Sequence, residues 1–444
     1  MKNKKMQILL LLLFMGGVAF GQAGSGEMTL TLKDAQDYAV KNNKMVKTVR
    51  LDADASKVAI WSSISNVLPQ LSSSGSFNDN LKLMTTLLPG DFFGKPGEKV
   101  PVTFGSQFNT TATVSASMLL FNAPVLIGIE TTKLANKLSM QNLEKSEQDI
   151  KETVSSIYYL ILVSEKSLDI VDKNIQNLNE TLKSTKAMLA AGMAEQTDVD
   201  QMISNVVTVE NSKSTLERAN EVNYNLLRFQ LGVTIDTKIN LKETLEDLVA
   251  KVDVDALLAQ QFDYNKNISY RLVEGAEQLS FLQLKTMKSL TLPSLTGFYN
   301  YGVNGMGDKV SSQQWFPNSM AGLSISIPIF ASGQRYANIK RAQINLEKAR
   351  TTKDMMTDQL LLQEKQLRFN LVSANQQYKS QKDNVDVSKR VYTSTENKYK
   401  QGMVSSLELT QANSLYLQSE NNYISALMNL LQTKLALDKL LNNM

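Results

Sequence analysis

The sequence contains neither cysteine nor histidine, and only 8 of its 444 residues are proline. These absences exclude zinc sites built from Cys and His, cysteine nucleophiles and the histidine base of a Ser-His-Asp triad. An enzyme would be left with carboxylate chemistry, and the spacing of the acids brings no pair of them together. We therefore expect no catalytic residues and no metal site, and a carboxylate-based hydrolase is an unsupported alternative.

The N-terminal segment MKNKKMQILLLLLFMGGVAFGQAG has lysines, then an apolar stretch, then small residues. This order predicts a secretory signal peptide over residues 1–21. A transmembrane anchor is the weaker interpretation, because the apolar stretch is shorter than the roughly 20 residues that a spanning helix needs. Since no cysteine follows this segment, we expect no lipid anchor at the N-terminus.

Little net charge remains once this segment is set aside. Lys2, Lys4 and Lys5 contribute three charges of the formal net charge of +4, which leaves +1 for the rest of the chain. Nothing resembles the clustered Lys and Arg of a nucleic-acid-binding protein, so we expect no nucleic-acid partner. No later apolar stretch has the length of a membrane helix, so any membrane crossing would have to be made by strands.

The remainder of the chain repeats one plan twice. The segment NVLPQLSSSGSF at 66–77 is similar to LTLPSLTGFYNY at 290–301, and SMLLFNAP at 117–124 is similar to SIPIFASG at 326–333. Each half has the order helix, Leu-Pro, strand, loop, strand, very long helix, Gly-Met turn and long helix. We predict a tandem duplication of this plan.

The spacing inside the halves supports the duplication. Gly192 follows Phe121 by 71 residues, and Gly402 follows Phe330 by 72 residues. We therefore place the first repeat at 22–232 and the second at 255–444, joined by a linker at 233–254. The helical turns are predicted at about 190–200 and 400–411.

Apolar residues recur at heptad spacing between the strands and the turn of each half, which predicts coiled-coil helices. No proline interrupts these stretches. A helix of about 65 residues would be about 100 Å long, so it must project as a rod and pack against an antiparallel partner. Ser164, Lys353 and Gln363 interrupt the seam, which consists of Val154, Ile157, Ile161, Leu168, Val171, Ile175, Leu178 and Leu182 in the first half and of Ile339, Ala342, Leu346, Ala349, Met356, Leu360, Leu367 and Ala374 in the second.

Apolar residues alternate with small polar ones at about 107–121 and 319–330, with less regular partners at about 69–80 and 292–305. These lengths fit tilted strands that cross a bilayer with one face toward lipid. Four strands cannot close a barrel, and open edges are not tolerated in lipid, so the strands must be shared between chains.

The connections between these strands carry a second set of candidates. Residues at about 81–106 and 306–314 are predicted to be outward-facing loops. Trp315 and Phe316 lie where an interfacial aromatic belt would be, and packing within the loop is the alternative. The sequence leaves both interpretations open.

The Gly-Met turns carry the other candidate residues. Gly192 and Gly402 are expected to end helices in the left-handed conformation. Met193 and Met403 either pack inside the turn or are exposed to a partner. The acids that follow either cap the next helix, as Ser405 with Glu408 and Thr197 with Asp200 would, or line a pore, and one acid can do both.

From LTLKDAQDYAVKNN to ALDKLLNN, this ordered set of features resembles TolC-like outer membrane efflux proteins, the outer membrane factors. The resemblance implies a mainly α protein with a membrane β part, built on the duplicated helix, strand, strand, helix plan. Four transmembrane strands per chain would form a trimeric 12-stranded β-barrel, continued by an α-helical tunnel. It also implies the outer membrane of a Gram-negative bacterium, extension into the periplasm, no enzymatic activity and no cofactor.

The implied function is that of a passive exit duct of a tripartite efflux or type I secretion system, gated at the periplasmic helical tips. The implied partners are two further copies of the chain, a periplasmic adaptor (membrane fusion) protein, an inner-membrane pump and outer membrane lipid. The alternative is a periplasmic coiled-coil adaptor or scaffold that does not span the membrane, against which the strand alternation argues.

The resemblance also assigns roles at the turns. Six residues beyond the turn glycine, the family commonly has an acid, and this chain has Asp198 and Glu408. Where some members have a further aspartate, the second half has Gln411, which makes the entrance less acidic. The implied sets are Asp198, Asp200, Glu408 and Gln411 at the pore entrance, and Gly192, Met193, Gly402 and Met403 at the adaptor contact.

Overall fold

The fold is taken from a computed structural model that describes residues 27–94 and 96–443. The predicted signal peptide lies outside the described residues. The chain divides into two compact units. The tip unit comprises the described residues up to Lys47 together with 147–261 and those from 364 onward, and the sheet unit comprises 48–146 and 262–363. Each unit takes segments from both sequence repeats, so the units differ from the repeats.

The chain is mainly helical, as predicted. Two very long helices dominate it, and each is followed by a long helix that runs antiparallel to it. In chain order the elements are β1 (Met28–Leu30), α1 (Leu32–Asn42), α2 (Lys44–Ser65), β2 (Gln70–Asp79), β3 (Met84–Pro89), β4 (Lys99–Phe104), β5 (Phe108–Phe121), α3 (Ala123–Ala190), α4 (Gln196–Leu231), β6 (Ile239–Leu241), α5 (Leu245–Ala250), α6 (Val254–Ala259), α7 (Ile268–Ser289), β7 (Ser294–Gly307), β8 (Gln314–Ser326), α8 (Gln334–Lys400) and α9 (Ser406–Leu441). The first hairpin is α3 with α4, and the second hairpin is α8 with α9.

The sheet unit contains a four-stranded antiparallel sheet in the order β2-β5-β7-β8. In this sheet β5 of the first repeat pairs with β7 of the second, and β2 and β8 are the edge strands. The strand predicted at 319–330 begins earlier, at Gln314, and ends at Ser326. Pro328, which follows, has no N–H to donate to a ladder, whereas Pro317 is tolerated because β8 is an edge strand.

The register separates the sheet into two faces of different chemistry, because neighbouring residues of a strand point to opposite sides. One face, the apolar face, carries mostly aliphatic and aromatic side chains. The other, the polar face, carries mostly hydroxyl and amide side chains. The apolar face includes Leu71, Phe77, Phe108, Val114, Met118, Leu295, Tyr299, Tyr301, Val303, Trp315, Ala321, Leu323 and Ile325.

The predicted loop at 81–106 is wrong in part, since it contains a separate two-stranded sheet of β3 and β4. Threonine, valine, leucine and phenylalanine in these two segments favour strands. The connection between the strands contains a short 3-10 helix at Gly90–Phe93, whereas Pro89 and Pro101 belong to β3 and β4.

The predicted linker at 233–254 is also structured, and it is tied to the start of the described chain within the tip unit. β6 pairs in parallel with β1. The Glu243 carboxylate accepts a hydrogen bond from the backbone N–H of Leu32 at 2.7 Å, and the Tyr158 hydroxyl donates to the Leu30 carbonyl at 3.2 Å. The first bond holds the start of α1 against the linker, and the second holds β1 against α3.

Across residues 27–94 and 96–443, no helix has both the length and the apolar character that crossing a membrane requires.

Candidate functional site

The two Gly-Met turns have the same backbone geometry. Gly192 and Gly402 both have φ of 73°, the left-handed region that glycine adopts without strain. In each turn the methionine N–H reaches back five residues, from Met193 to the Met188 carbonyl at 2.8 Å and from Met403 to the Lys398 carbonyl at 2.9 Å. This six-to-one bond identifies both turns as Schellman motifs, which end α3 and α8.

The methionines of the turns lie on the surface of the chain. Met193 is 71% exposed and Met403 is 67% exposed. Of the two alternatives that the sequence leaves open, the chain therefore has the methionines outside the turn. Burial of these thioethers would need another surface.

Side chains at the starts of α4 and α9 cap these helices. Ser405 caps α9, and its hydroxyl accepts from the Glu408 backbone N–H at 3.2 Å, which is the serine half of the expected box. The box expected from Thr197 and Asp200 is wrong. Glu195 is the N-cap of α4, and its backbone N–H donates to Asp198 at 3.0 Å. The helix begins two residues earlier than the Thr-Asp spacing predicts, so Asp200 accepts from Gln196 Nε2 instead, at 2.8 Å.

Asp198 also joins the two turns. The buried Ser406 hydroxyl, at the first residue of α9, donates to Asp198 Oδ1. This hydrogen bond and the one from the Glu195 amide hold the pKa of Asp198 below its usual value of 3.8. At neutral pH the residue is thus a carboxylate that accepts from both helices.

A second contact joins α3 to α8 three residues before the Gly402 turn. The hydroxyls of Thr185 and Tyr399 lie 2.8 Å apart, and both side chains are buried. Thr185 Oγ1 already donates to the Thr181 carbonyl at 2.9 Å. Tyr399 is therefore the donor of the bond between the helices.

Two amide contacts continue this line away from the turns. Asn205 Nδ2 donates to Thr410 Oγ1 at 3.1 Å. Asn174 Nδ2 donates to Asn413 Oδ1 at 2.7 Å, and both asparagines are buried. We call these four bonds, which join the two hairpins on the side of the turns, the inter-hairpin bonds: Asp198 with Ser406, Thr185 with Tyr399, Asn205 with Thr410, and Asn174 with Asn413.

The buried side of α3 near its turn differs from the predicted seam. Residues Asn174, Leu178, Thr181 and Thr185 are buried at heptad spacing, whereas Val171, Ile175 and Leu182 are only partly buried. An apolar pattern cannot reveal such positions, because three of the four side chains are polar. The signal that could have found them is the spacing of 4, 3 and 4 residues among small hydroxyl and amide residues.

The second hairpin is packed by tyrosines near its turn. Tyr392, Tyr399, Leu409 and Ala412 form a buried cluster against Val404 and Tyr416. The rings of Tyr392 and Tyr416 stack with centroids 5.7 Å apart. Burial raises the pKa of Tyr392 to about 12, so this ring stays neutral at physiological pH.

The other predicted site residues are not brought into contact with one another. Asp200, Glu408 and Gln411 are exposed on the surface of the single chain. Trp315 and Phe316 are neighbours on β8 and therefore lie on opposite faces, Trp315 on the apolar face and Phe316 on the polar face.

Comparison with known proteins adds a family match. The model of the family described as outer membrane efflux protein matches residues 37–233 and 276–443, which is most of the chain. Outer membrane protein TolC of Vibrio cholerae serotype O1 is 22% identical over 345 residues, which cover 73% of this chain and 70% of that protein.

Solved structures share the fold at low sequence identity. A structure of CusC has a TM-score of 0.73 at 16% identity and covers 92% of this chain and 91% of its own. The outer membrane protein VceC of Vibrio cholerae has a TM-score of 0.72 at 13% identity, with 92% and 95% covered. The open state of the Neisseria gonorrhoeae MtrE outer membrane channel has a TM-score of 0.70 at 16% identity, with 92% and 88% covered.

Proposed function

The chain belongs to the outer membrane efflux protein family, and on that premise we propose that its two helical turns form the gate of an export channel. Members of the family are outer-membrane ducts of tripartite efflux systems, in Gram-negative bacteria, that extend into the periplasm. The family consists of channels rather than enzymes. A scaffold that never enters the membrane is set aside by this membership.

The channel is completed by three copies of the chain. The strands β2 and β8 are the edges of the sheet, and each edge leaves a row of backbone N–H and C=O groups without a strand partner. In lipid such edges must be paired. Pairing β8 of one copy with β2 of the next, three times over, gives a closed 12-stranded barrel, with the apolar face toward lipid and the polar face toward water.

The inter-hairpin bonds hold the gate shut. Each neutral hydrogen bond contributes about 0.5–1.5 kcal/mol net, and a bond to a carboxylate about 1.5–3 kcal/mol. Four of them amount to several kcal/mol, which a docking protein can offset if it binds the open arrangement more tightly. Hydrogen bonds between hydroxyls and amides also reform with water on opening, so separating the hairpins leaves no polar group unsatisfied.

The docking surface is the pair of turns. Met193 and Met403 are exposed on two turns of the same geometry, and unbranched thioethers adapt to partner surfaces. We assign them, with Gly192 and Gly402, to contact with a periplasmic adaptor that works with an inner-membrane pump. The exposed acids Asp200 and Glu408, with Asp198, line the entrance beside Gln411.

The gate is tested by removing one hydroxyl. Tyr399→Phe deletes the donor of the Thr185 bond and keeps the ring in the tyrosine cluster. In planar bilayers we expect the purified variant to have a higher open probability than the unmodified protein. Tyr392→Phe is the matched control, since its ring is in the same cluster and its hydroxyl makes none of the inter-hairpin bonds.

Equal open probabilities of Tyr399→Phe and the unmodified protein would show that the bond between Thr185 and Tyr399 does not hold the gate shut. If no variant conducts, including one in which Asp198, Asp200 and Glu408 are all neutralised, the gated channel itself is wrong.

A further inference from the structure

The polar face of the four-stranded sheet carries no ionisable side chain. Its members are serine, threonine, asparagine and glutamine, with a few apolar residues, and the charged residue of the four strands, Asp79, lies at the end of β2. The uncharged polar set is Gln70, Ser72, Ser74, Ser76, Asn78, Asn109, Thr111, Thr113, Ser115, Ser117, Thr296, Asn300, Asn304, Gln314, Asn318, Ser324 and Ser326.

Leu119 of β5 and four larger apolar side chains of β7 and β8 lie on this same face. The four are Phe298, Met306, Phe316 and Met320, and the last three are about half exposed. Asn300, Asn304 and Asn318 separate them along the strands. We call these four residues the apolar line.

The position of Phe298 is built into the sheet. Gly322 is its register partner on β8. A Cβ at Gly322 would lie 2.8 Å from Cζ of the Phe298 ring. The tip of the ring therefore lies over the glycine, and a side chain at position 322 would force the ring to shift, so the glycine makes room for an aromatic surface on the polar face.

These two observations have separate physical consequences. Selection by charge needs fixed charges close to the path, such as rings of acidic or basic side chains. Where fixed charges are absent, neutral hydroxyl and amide groups interact with cations through their oxygens and with anions through their N–H and O–H groups. An aromatic ring and thioethers at a wet surface, by contrast, retain solutes that have an apolar part, whatever the sign of their charge.

We propose that the strand section of this channel passes cations and anions without preference and retards solutes that carry an aromatic group, through contact with the apolar line. This inference rests on the proposed function, because that function puts the polar face toward the water-filled path. The solute class is amphipathic molecules of either charge, and any selection by charge is made elsewhere in the channel.

The test compares two pairs of ions in planar bilayers with the Tyr399→Phe protein. Tetramethylammonium is compared with benzyltrimethylammonium, and methanesulfonate with benzenesulfonate. Within each pair the charge is constant and only the aromatic group is added. We expect the aromatic member to lower the current about 2- to 10-fold, by a similar factor for cations and anions.

Two variants assign the effect to the apolar line. Phe298→Ser and Met320→Ser are each expected to reduce the lowering of the current by the aromatic ions. Met320→Ser leaves the packing of Phe298 on Gly322 intact, so it serves as the test if Phe298→Ser does not assemble. Tyr299→Ser is the matched control, since Tyr299 is the next residue on β7 but lies on the apolar face. It should leave the aromatic effect unchanged.

A third variant tests the absence of charge. Asn300→Asp adds one carboxylate per chain to the polar face and is expected to shift the reversal potential in a KCl gradient toward cations. An aromatic effect limited to one sign of charge, its persistence in Met320→Ser, or an unchanged reversal potential in Asn300→Asp would each overturn the inference. All three presuppose current, so a complete lack of current counts against the proposed function instead.

Discussion

Gly192 and Gly232 have the same left-handed φ of 73° but different surroundings. A Cβ at Gly192 would meet no atom within 4 Å, whereas at Gly232 it would lie 2.5 Å from the Asn42 carbonyl oxygen. Gly232 ends α4, and its N–H bonds to the Arg228 and Phe229 carbonyls. One glycine is required for its conformation alone, and the other also for a close backbone approach.

The pair gives a prediction about stability. Gly192→Ala is expected to lower the free energy of unfolding by about 1–2 kcal/mol, the cost of a left-handed alanine. Gly232→Ala adds a clash with rigid backbone, so we expect a further loss of about 1–3 kcal/mol. Denaturant midpoints of the detergent-solubilised proteins show whether stability falls from the unmodified protein to Gly192→Ala and then to Gly232→Ala. Equal midpoints for the two variants would mean that Asn42 moves aside at little cost.

At the scale of elements, one interruption of a predicted seam proves to be a contact with a neighbouring helix. Lys353 interrupts the apolar seam of α8, and its Nζ lies 2.5 Å from Glu277 Oε2 on α7. Arg350 Nε lies 3.3 Å from the other oxygen of the same carboxylate. The hydrogen bond from Lys353 holds the pKa of Glu277 below its usual value of 4.5.

This pair predicts a pH-dependent stability difference. Glu277→Gln should lower the free energy of unfolding by about 1 kcal/mol at neutral pH, because Lys353 stays partly buried beside a neutral group. The depressed pKa means that the ion pair stabilises the fold above the usual carboxyl pKa. The difference from the unmodified protein should therefore vanish as the pH falls through the lowered pKa of Glu277.

Glu130→Gln is the control for this measurement, since Glu130 pairs with Lys285 at 2.8 Å with both side chains about half exposed. Such exposed pairs contribute little, so its unfolding midpoint should barely change. A Glu277 effect that is no larger, or that persists in acid, would show that the α7–α8 pair is only a surface contact.

At the scale of the whole molecule, the four-stranded sheet is open, because the edge strands β2 and β8 each have only one strand partner. Its apolar face exposes large side chains, including Leu323 at 67% and Ile325 at 64%. A single copy suits neither solvent, because water would meet the apolar face and lipid would meet the unpaired backbone groups of the edges. The proposed assembly of three copies in lipid would satisfy both at once.

The absence of cysteine makes this assembly testable with few changes. Ser74→Cys on β2 is combined in turn with Asn318→Cys, Met320→Cys and Phe316→Cys on β8. We expect at least one pair to give reducible dimers and trimers on a denaturing gel of membranes. Ser74→Cys with Thr113→Cys, which face each other inside one sheet, is the control for bonds within a copy. Purely intrachain products in every combination would argue against shared strands.

By itself the sequence determined the features that repeat along the chain. The long helices and the two-faced strands follow from periods of 3.5 and 2 residues that neighbouring positions encode. The duplication follows from similar segments at matching spacings, and the turn glycines from the left-handed conformation that glycine adopts. Boundaries shifted where a proline or a strand former acted locally, as at Pro328 and in β3 and β4. The family resemblance rests on the order of these same features.

Only the tertiary structure decided which polar groups meet. Thr185 and Tyr399 are 214 residues apart, and Asp198 and Ser406 are 208 apart. Single hydroxyls and carboxylates carry no periodic signal, so nothing local distinguishes a bonded serine from a solvated one. The same holds for Lys353, whose partner lies on another helix. Packing of two hairpins, rather than the pattern of either, selects the groups that hold the turns together.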